Sequence, residues 1–532
     1  MFSSVLQSPT SPTTRKYSFG DAVLAGWGDD GGMLWPMDVP QINSATLDDW
    51  AALTYPQLCA AILKRFIPPD DADVSPSDVD AIVLNAFGAF GSDSVVDVVP
   101  LYPTMDGTWP INGWHIAELW HGPTLAFKDL GMSVLGRTLS HLLRKRNQRL
   151  TLLVGTSGDT GSSAIEAVRG LPNISIVCLY PLQSFSSITA VQERQMTSVA
   201  EVEENVHVIG IEGTSDDLDV PMEACFRDTA FKAAQKLGSV NSVNIVRLLV
   251  QAVHYFYSYL RVREKVGGGI VQLSIPCGAG GHLAAGLLAV EMGLPVKLLA
   301  ATNANDALHR VLNTGRMESG VKTQQTVSPS MDIQLPYNVW RILYVASGGD
   351  GEAVRKLQRA LSEQGSLELP AALREAIAKT VRSVAVSDDE TLEQMRHTHA
   401  EQKYLLDPHT AVCVAAAKPK ADGIPRGFAG AAATICMGCA HPVKFLPTVQ
   451  RAFSCASLDA AMALVKDMSH KNVAKVGAMA RQLEAAKPPP SNEPETPPGC
   501  TTVFRRGENW EARLRVILRE VTARAEQPRS KL

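Results

Sequence analysis

The sequence predicts an α/β fold with parallel-rich sheets, arranged as two α/β halves behind an N-terminal subdomain. Three observations carry that prediction. From about residue 115 onward, short apolar runs alternate with helical patterns, as βα units do. Two of these units pass from strand to helix through glycine-rich stretches, "GTSGDTGSS" at 155–163 and "CGAGGHLAAG" at 277–286. A lysine, Lys128, closes an apolar run just where a helix is set to begin, in "ELWHGPTLAFKDLGM" at 118–132.

Residues 1–115 read as mixed helices and loops; "SATLDDWAALTYPQLCAAILKRFI" at 44–67 has a polar start and helical spacing of apolar residues. Strand, turn and helix follow in "RLTLLVGTSGDTGSSAIEAVRG", then strands in "NISIVCLYP" and "NVHVIGIEG". The series restarts in "GGIVQLSIPCGAGGHLAAGLLAVEMG" and again in "PVKLLAATNANDALHRVLNTG". Two such series make a region of two lobes over 116–480, with ligands expected at the carboxyl ends of the strands. Residues 485–500 are Pro-rich and read as a linker, and 501–532 hold one amphipathic helix, "ENWEARLRVILREVTARAEQ".

Composition limits the function classes. At 532 residues the chain is too long for a single core. A formal charge of −4 without a long charged run argues against nucleic acid or a membrane surface as partner. No stretch approaches the roughly 18 apolar residues of a spanning helix. The Ser/Thr-rich start lacks the apolar core of a secretory signal and is too short and too weakly basic for a convincing transit peptide. Nine scattered cysteines in apolar surroundings fit reduced thiols in a cytoplasmic protein. Cys436 and Cys439 have CxxC spacing, but no second ligand pair or thioredoxin-like setting accompanies them, so no metal is expected.

Each glycine-rich turn is a candidate anion site, because glycines permit positive φ and the first N–H groups of the following helix are free. Neither is a Walker loop or a dinucleotide fingerprint. Lys128 read alone is an ordinary lysine beside Asp129. Set with two anion cradles, it suits Schiff-base chemistry, since burial lowers a lysine's pKa and frees its amine to attack an aldehyde. Pyridoxal phosphate offers both the aldehyde and a phosphate.

These residues resemble the threonine synthase family of fold-type II pyridoxal-phosphate enzymes, related in fold to the tryptophan synthase β chain. Besides the lysine motif and "GTSGDTGSSAIEA", the segments "TTRKYSFGDAVLAGWGDDGGMLWP", "QERQMTSV", "NSVNIVRLLVQAVHYFYSYL", "ATNANDALHR", "SPSMDIQLPYNVWRILY", "LDPHTAV" and "AHPVKF" follow in family order between residues 13 and 470. The resemblance implies that Lys128 binds the cofactor and shuttles protons, with Phe127 beside the ring. It implies that Gly278, Ala279, Gly280, Gly281 and His282 cradle the cofactor phosphate, and that Cys439 stands at the pyridine nitrogen. It places the substrate carboxylate on Thr156, Ser157, Asp159 and Thr160, and the substrate phosphate near Asn241, Ser242, Asn244 and Arg247. The implied reaction eliminates phosphate from O-phosphohomoserine and adds water to give threonine. The substrate is then a small phosphorylated amino acid, and the chain a monomer or homodimer.

Three departures bear on that reading. "GAGGH" stands where the family has Gly-Asn-Phe-Gly-Asp, Cys439 replaces a hydroxyl, and "LQSFSSITA" at 182–190 lacks the family's Arg; Ile245 also replaces a tryptophan. A thiol donates a weaker hydrogen bond than a hydroxyl. Neutral drift explains such changes, and so does altered activity. The alternatives are a phospho-lyase releasing 2-oxobutyrate from O-phosphohomoserine or O-phosphothreonine, and a non-catalytic binding protein using the linker and terminal helix.

Overall fold

The computed structural model describes residues 1–90, 94–101, 113–156, 158–419, 423–465 and 496–526. The predicted alternation builds two large sheets. One has six strands in the spatial order Val381–Ala385, Val296–Thr302, Val271–Pro276, Ala433–Gly438, Trp114–Glu118 and Asp97–Leu101. All neighbours are parallel except the last pair. The other has five parallel strands, Thr502–Phe504, Val206–Ile211, Ile174–Pro181, Leu150–Gly155 and Leu237–Gly238. Helices cover both faces of a parallel sheet, so its central strands are buried on both faces and mostly apolar. Every residue of Ile174–Pro181 and of Val271–Pro276 is buried.

Asp97–Leu101 precedes the expected boundary at residue 115, yet it pairs with Trp114–Glu118 as the antiparallel edge of the six-stranded sheet. The helical pattern of 44–67 forms two helices, Ser44–Trp50 and Tyr55–Leu63. Thr54 breaks it: its hydroxyl accepts the Gln57 N–H, Gln57 Oε1 accepts the Thr54 N–H, and a proline sits in the new first turn.

The helix Ile245–Val266 is buried along nearly its whole length, packed among Tyr55–Leu63, the lysine helix Lys128–Lys145 and Gly281–Glu291. Its apolar residues pack on these neighbours, while Arg247, Gln251, His254 and Ser258 form a buried polar stripe at helical spacing.

The Pro-rich linker lies outside the described residues up to 495. Beyond it, Thr502–Phe504 joins the edge of the five-stranded sheet, and the helix Trp510–Glu526 lays Leu514, Leu518 and Val521 on the cluster of Ile209, Ile211 and Phe231. The terminal helix thus spends its apolar face inside the chain. Leu518→Ala is expected to cost about 2–5 kcal/mol and to lower the thermal unfolding midpoint, whereas Val516→Ala, on the exposed face, leaves it unchanged. A helix free of the sheet would show no difference between the two.

Candidate active site

Three adjacent parallel strands, Trp114–Glu118, Ala433–Gly438 and Val271–Pro276, end side by side. Their following turns therefore bring Lys128, Cys439 and Gly278–His282 together. The five-stranded sheet contributes the turn after Leu150–Gly155 from the opposite side. A cavity of about 410 Å³ lies between them. Its lining includes Phe127, Lys128, Thr156, Asp159, Thr160, Asn241, Ser242, Arg247, Gly278, Ala279, Gly280, Gly281, His282 and Cys439. Ser157 lies outside the described residues.

The lysine turn is held from three sides. Phe127 N–H donates to Cys439 O at 2.7 Å, and His441 N–H to Leu125 O at 3.0 Å. Leu125 has φ +59°, a left-handed backbone that side chains with a Cβ rarely adopt. Asp129 does not pair with Lys128. Its carboxylate accepts the Thr124 N–H at 2.8 Å and the Thr124 hydroxyl at 2.6 Å, closing the turn. Lys128 is left to face the cavity, its side chain 13% exposed. Burial, aided by Arg247, draws its ammonium below the usual lysine range, against the pull of Asp159.

Asp159 opens the helix Asp159–Val168, where the helix dipole favours an anion. Oδ1 meets Lys444 Nζ at 2.9 Å and the Gln192 amide at 2.9 Å. Oδ2 accepts the Ser330 hydroxyl at 2.9 Å and stands 4.0 Å from Lys128 Nζ. Burial opposes its charge, but its neighbours, Lys444 foremost, more than offset that and hold it well below the usual carboxylate range. Its carboxylate is already met by these partners, which leaves the backbone N–H of Asp159 for the expected contact with a substrate carboxylate. The turn's backbone N–H groups and Thr160 remain for that task. Thr156 Oγ1 accepts the N–H groups of Gly158 and Gly161, each at 2.9 Å, and so shapes the turn. Gly158 has φ +135°, and a Cβ there would stand 2.6 Å from the Gln192 amide.

Gly280, at φ +77°, turns the second loop into the helix Gly281–Glu291, whose first intrahelical bond runs from Ala284 N–H to Gly280 O. The N–H groups before it have no intrahelical acceptor. The His282 ring stacks on Phe127, centroids 5.2 Å apart and planes at 14°, and its Nε2 lies 3.2 Å from His254 Nδ1. Burial holds this imidazole down to about 3, so it is a neutral wall behind Phe127. Burial likewise raises the Cys439 thiol, which stays protonated.

Arg247 is buried and reaches the cavity wall. Nη1 donates to Val240 O at 3.2 Å, Nε has no partner, and no ion pair engages it among the described residues. Burial lowers it only to about 10, so it stays a cation. Asn244 is a correction: it does not line the cavity. Its Nδ2 donates to Val23 O and its Oδ1 caps the helix at the Val246 N–H.

Sequence reasoning missed several neighbours. Arg341, fully buried, donates to Leu34 O, Ser242 O, Val243 O and Asn338 Oδ1, fixing the 241–243 turn. His409 Nδ1 lies 2.8 Å from Asp407 Oδ1 while its Nε2 accepts the Ser330 N–H, which puts the ring proton on Nδ1. Asp332 accepts from Thr326, Asn303 and Asn305, and burial raises it to about 6. All nine cysteines are free; Cys436 is buried in its strand and Cys439 lines the cavity, which leaves the CxxC pair without a shared role.

The geometry meets its counterpart in known proteins. A family model described as "Threonine synthase N terminus" matches residues 8–87, and one described as "Pyridoxal-phosphate dependent enzyme" matches 116–437. The chain belongs to the threonine synthase family. It is 38% identical to Threonine synthase-like 2 of Homo sapiens over 409 residues, 76% of this chain and 81% of that one. It is 36% identical to Threonine synthase of Pseudomonas aeruginosa over 438 residues, 82% and 87% of the two chains. A crystal structure of PLP-bound threonine synthase from Brucella melitensis aligns over 99% of both chains, with a TM-score of 0.79 and 30% identity.

The family's cofactor is pyridoxal phosphate, and the cavity fits it. An amine of lowered pKa, a glycine loop with free N–H groups and an aromatic wall suit its aldehyde, phosphate and ring. At Gly278 an added Cβ would stand 3.1 Å from Met331 Cα, so the loop is already closely walled. Among the described residues, no helix is long and apolar enough to cross a membrane.

Asp332 gives this cavity a pH signature. Its folded pKa lies above the unfolded value of about 3.9, so the stability it contributes is full at low pH and lost as pH rises through about 6. Asp332→Asn should therefore gain thermal stability relative to wild type between about pH 4 and pH 7. A difference that stays constant across that range would contradict the assignment.

Proposed function

We propose that this chain removes phosphate from O-phosphohomoserine and adds water at Cβ, forming threonine. The observation that carries the reading is Arg247, a buried cation with no ion-pair partner among the described residues, on the wall of the cavity that Lys128 enters. An uncompensated buried charge is costly, and a phosphate ester in the cavity would offset that cost.

Pyridoxal phosphate supplies the electron sink that makes the substrate's Cα and Cβ protons removable. Lys128 holds the cofactor through its amine and then carries protons at Cα and Cβ. Phe127, braced by His282, would flank the ring of a bound cofactor. The N–H groups of Gly278 to His282 would receive its phosphate, and Cys439 would offer the ring nitrogen a weak donor. Thr156, Ser157, Thr160 and the backbone at Asp159 receive the substrate carboxylate at the helix start. Asn241 and Ser242 sit with Arg247 around the leaving phosphate. Nine free cysteines fit a reducing compartment, the cytoplasm.

A second reading has its own support. The segment 182–190 holds no Arg or Lys, and Threonine synthase-like 2 of Homo sapiens is about as similar in identity, 38%, as Threonine synthase of Pseudomonas aeruginosa, 36%. A phospho-lyase would use the same lysine and arginine on O-phosphohomoserine or O-phosphothreonine, and release 2-oxobutyrate.

Product analysis separates the two. With cofactor and O-phosphohomoserine, phosphate release accompanied by threonine supports the synthase, and 2-oxobutyrate in its place supports the lyase. Absence of phosphate release with either phosphorylated amino acid would contradict both. Lys128→Ala should abolish turnover. Arg247→Leu should raise KM about 10- to 100-fold, the loss of a charge-assisted contact; an unchanged KM would move the phosphate elsewhere.

A further inference from the structure

Lys444 is fully buried, a state lysine rarely adopts unless paired. It follows the strand Ala433–Gly438 in the short turn Pro442–Phe445 and does not line the cavity. Its Nζ lies 2.9 Å from Asp159 Oδ1 and donates to Thr124 O at 2.8 Å. Thr124 belongs to the turn that carries Lys128, and the other oxygen of Asp159 stands 4.0 Å from Lys128 Nζ. One ammonium therefore touches both the support of Lys128 and the carboxylate facing it.

We propose that Lys444 is a positioning residue for Lys128: it takes up the charge of Asp159, so that this carboxylate does not hold the Lys128 amine in its ammonium form. A carboxylate within about 4–6 Å raises a lysine's pKa by about 1–3 units, and an ammonium neither attacks an aldehyde nor accepts a proton. With Lys444 in place, the Asp159–Lys444 pair is neutral as a unit. The charged and titratable groups facing Lys128 are then that pair, the Arg247 cation and the Cys439 thiol. His409 also faces Asp159, its ring proton held by Asp407. Burial and Arg247 are left to favour the neutral amine. Gln192 and Ser330 fix the carboxylate's orientation.

The inference rests on Lys128 being the cofactor-bearing amine. The test is a pH titration of the visible absorption band of protein loaded with pyridoxal phosphate. Removing the cation should let the lysine–cofactor linkage keep its proton longer, so Lys444→Met should raise the titration midpoint by about 1–3 units. Asp159→Asn should lower it. The double variant, which removes both charges, should return to within about half a unit of wild type. A Lys444→Met midpoint equal to wild type, or a double variant that does not return, would overturn the proposal. Should Lys444→Met not fold, Asp159→Asn and the double variant decide: the double titrates above Asp159→Asn if Lys444 acts through charge, and with it if not. A visible band persisting in Lys128→Ala, or absent from the wild type, would remove the reading of Lys128 and this inference with it.

Discussion

A single buried carboxylate ties the site together. Asp159 belongs to the five-stranded sheet's lobe, whereas Lys128 and Lys444 follow neighbouring strands of the six-stranded sheet. Ser330, from a third segment, donates to the same carboxylate. Breaking such a buried pair by removing one partner strands a charge in a dry interior. The relative placement of the two lobes around the cavity is thereby coupled to the electrostatics of the lysine.

The rest of the site repeats that economy of support. Asp129, next to Lys128 in sequence, closes the Thr124 turn, so the lysine has no neutralising neighbour along the chain. Arg341 clamps four acceptors and fixes the 241–243 turn from which Arg247 extends. Arg247 spends one nitrogen on Val240 and keeps Nε free. Two buried guanidinium groups thus divide their labour: Arg341 is held by three carbonyls and the Asn338 amide and is structural, whereas Arg247 has no ion-pair partner among the described residues and lines the cavity.

The parts legible in the sequence were those encoded locally. Strand–glycine–helix patterns marked both turns, and an anomalous lysine marked its own helix start. Contacts between distant segments are not encoded locally: Gln192, Ser330, Asp332 and Lys444 fall inside segments that resemble the family, yet nothing adjacent in sequence shows what each of them touches. That the Asp159 carboxylate is neutralised by Lys444 is not legible in the sequence, because the two lie far apart along the chain. Asn244 was grouped with Arg247 by proximity, whereas at the helix start its side chain caps the backbone. The C-terminal helix is legible as amphipathic, but that pattern cannot name the surface it covers. His282 looked like part of a phosphate loop, and only the fold places its ring against Phe127 and His254.

Two lysines flank Asp159, and the account assigns the cofactor to one of them. Borohydride reduction of the cofactor-loaded protein, followed by proteolysis and mass spectrometry, locates the modified side chain. The account predicts the pyridoxyl group on Lys128 and an unmodified Lys444. A pyridoxyl group on Lys444 would reverse their roles and contradict it.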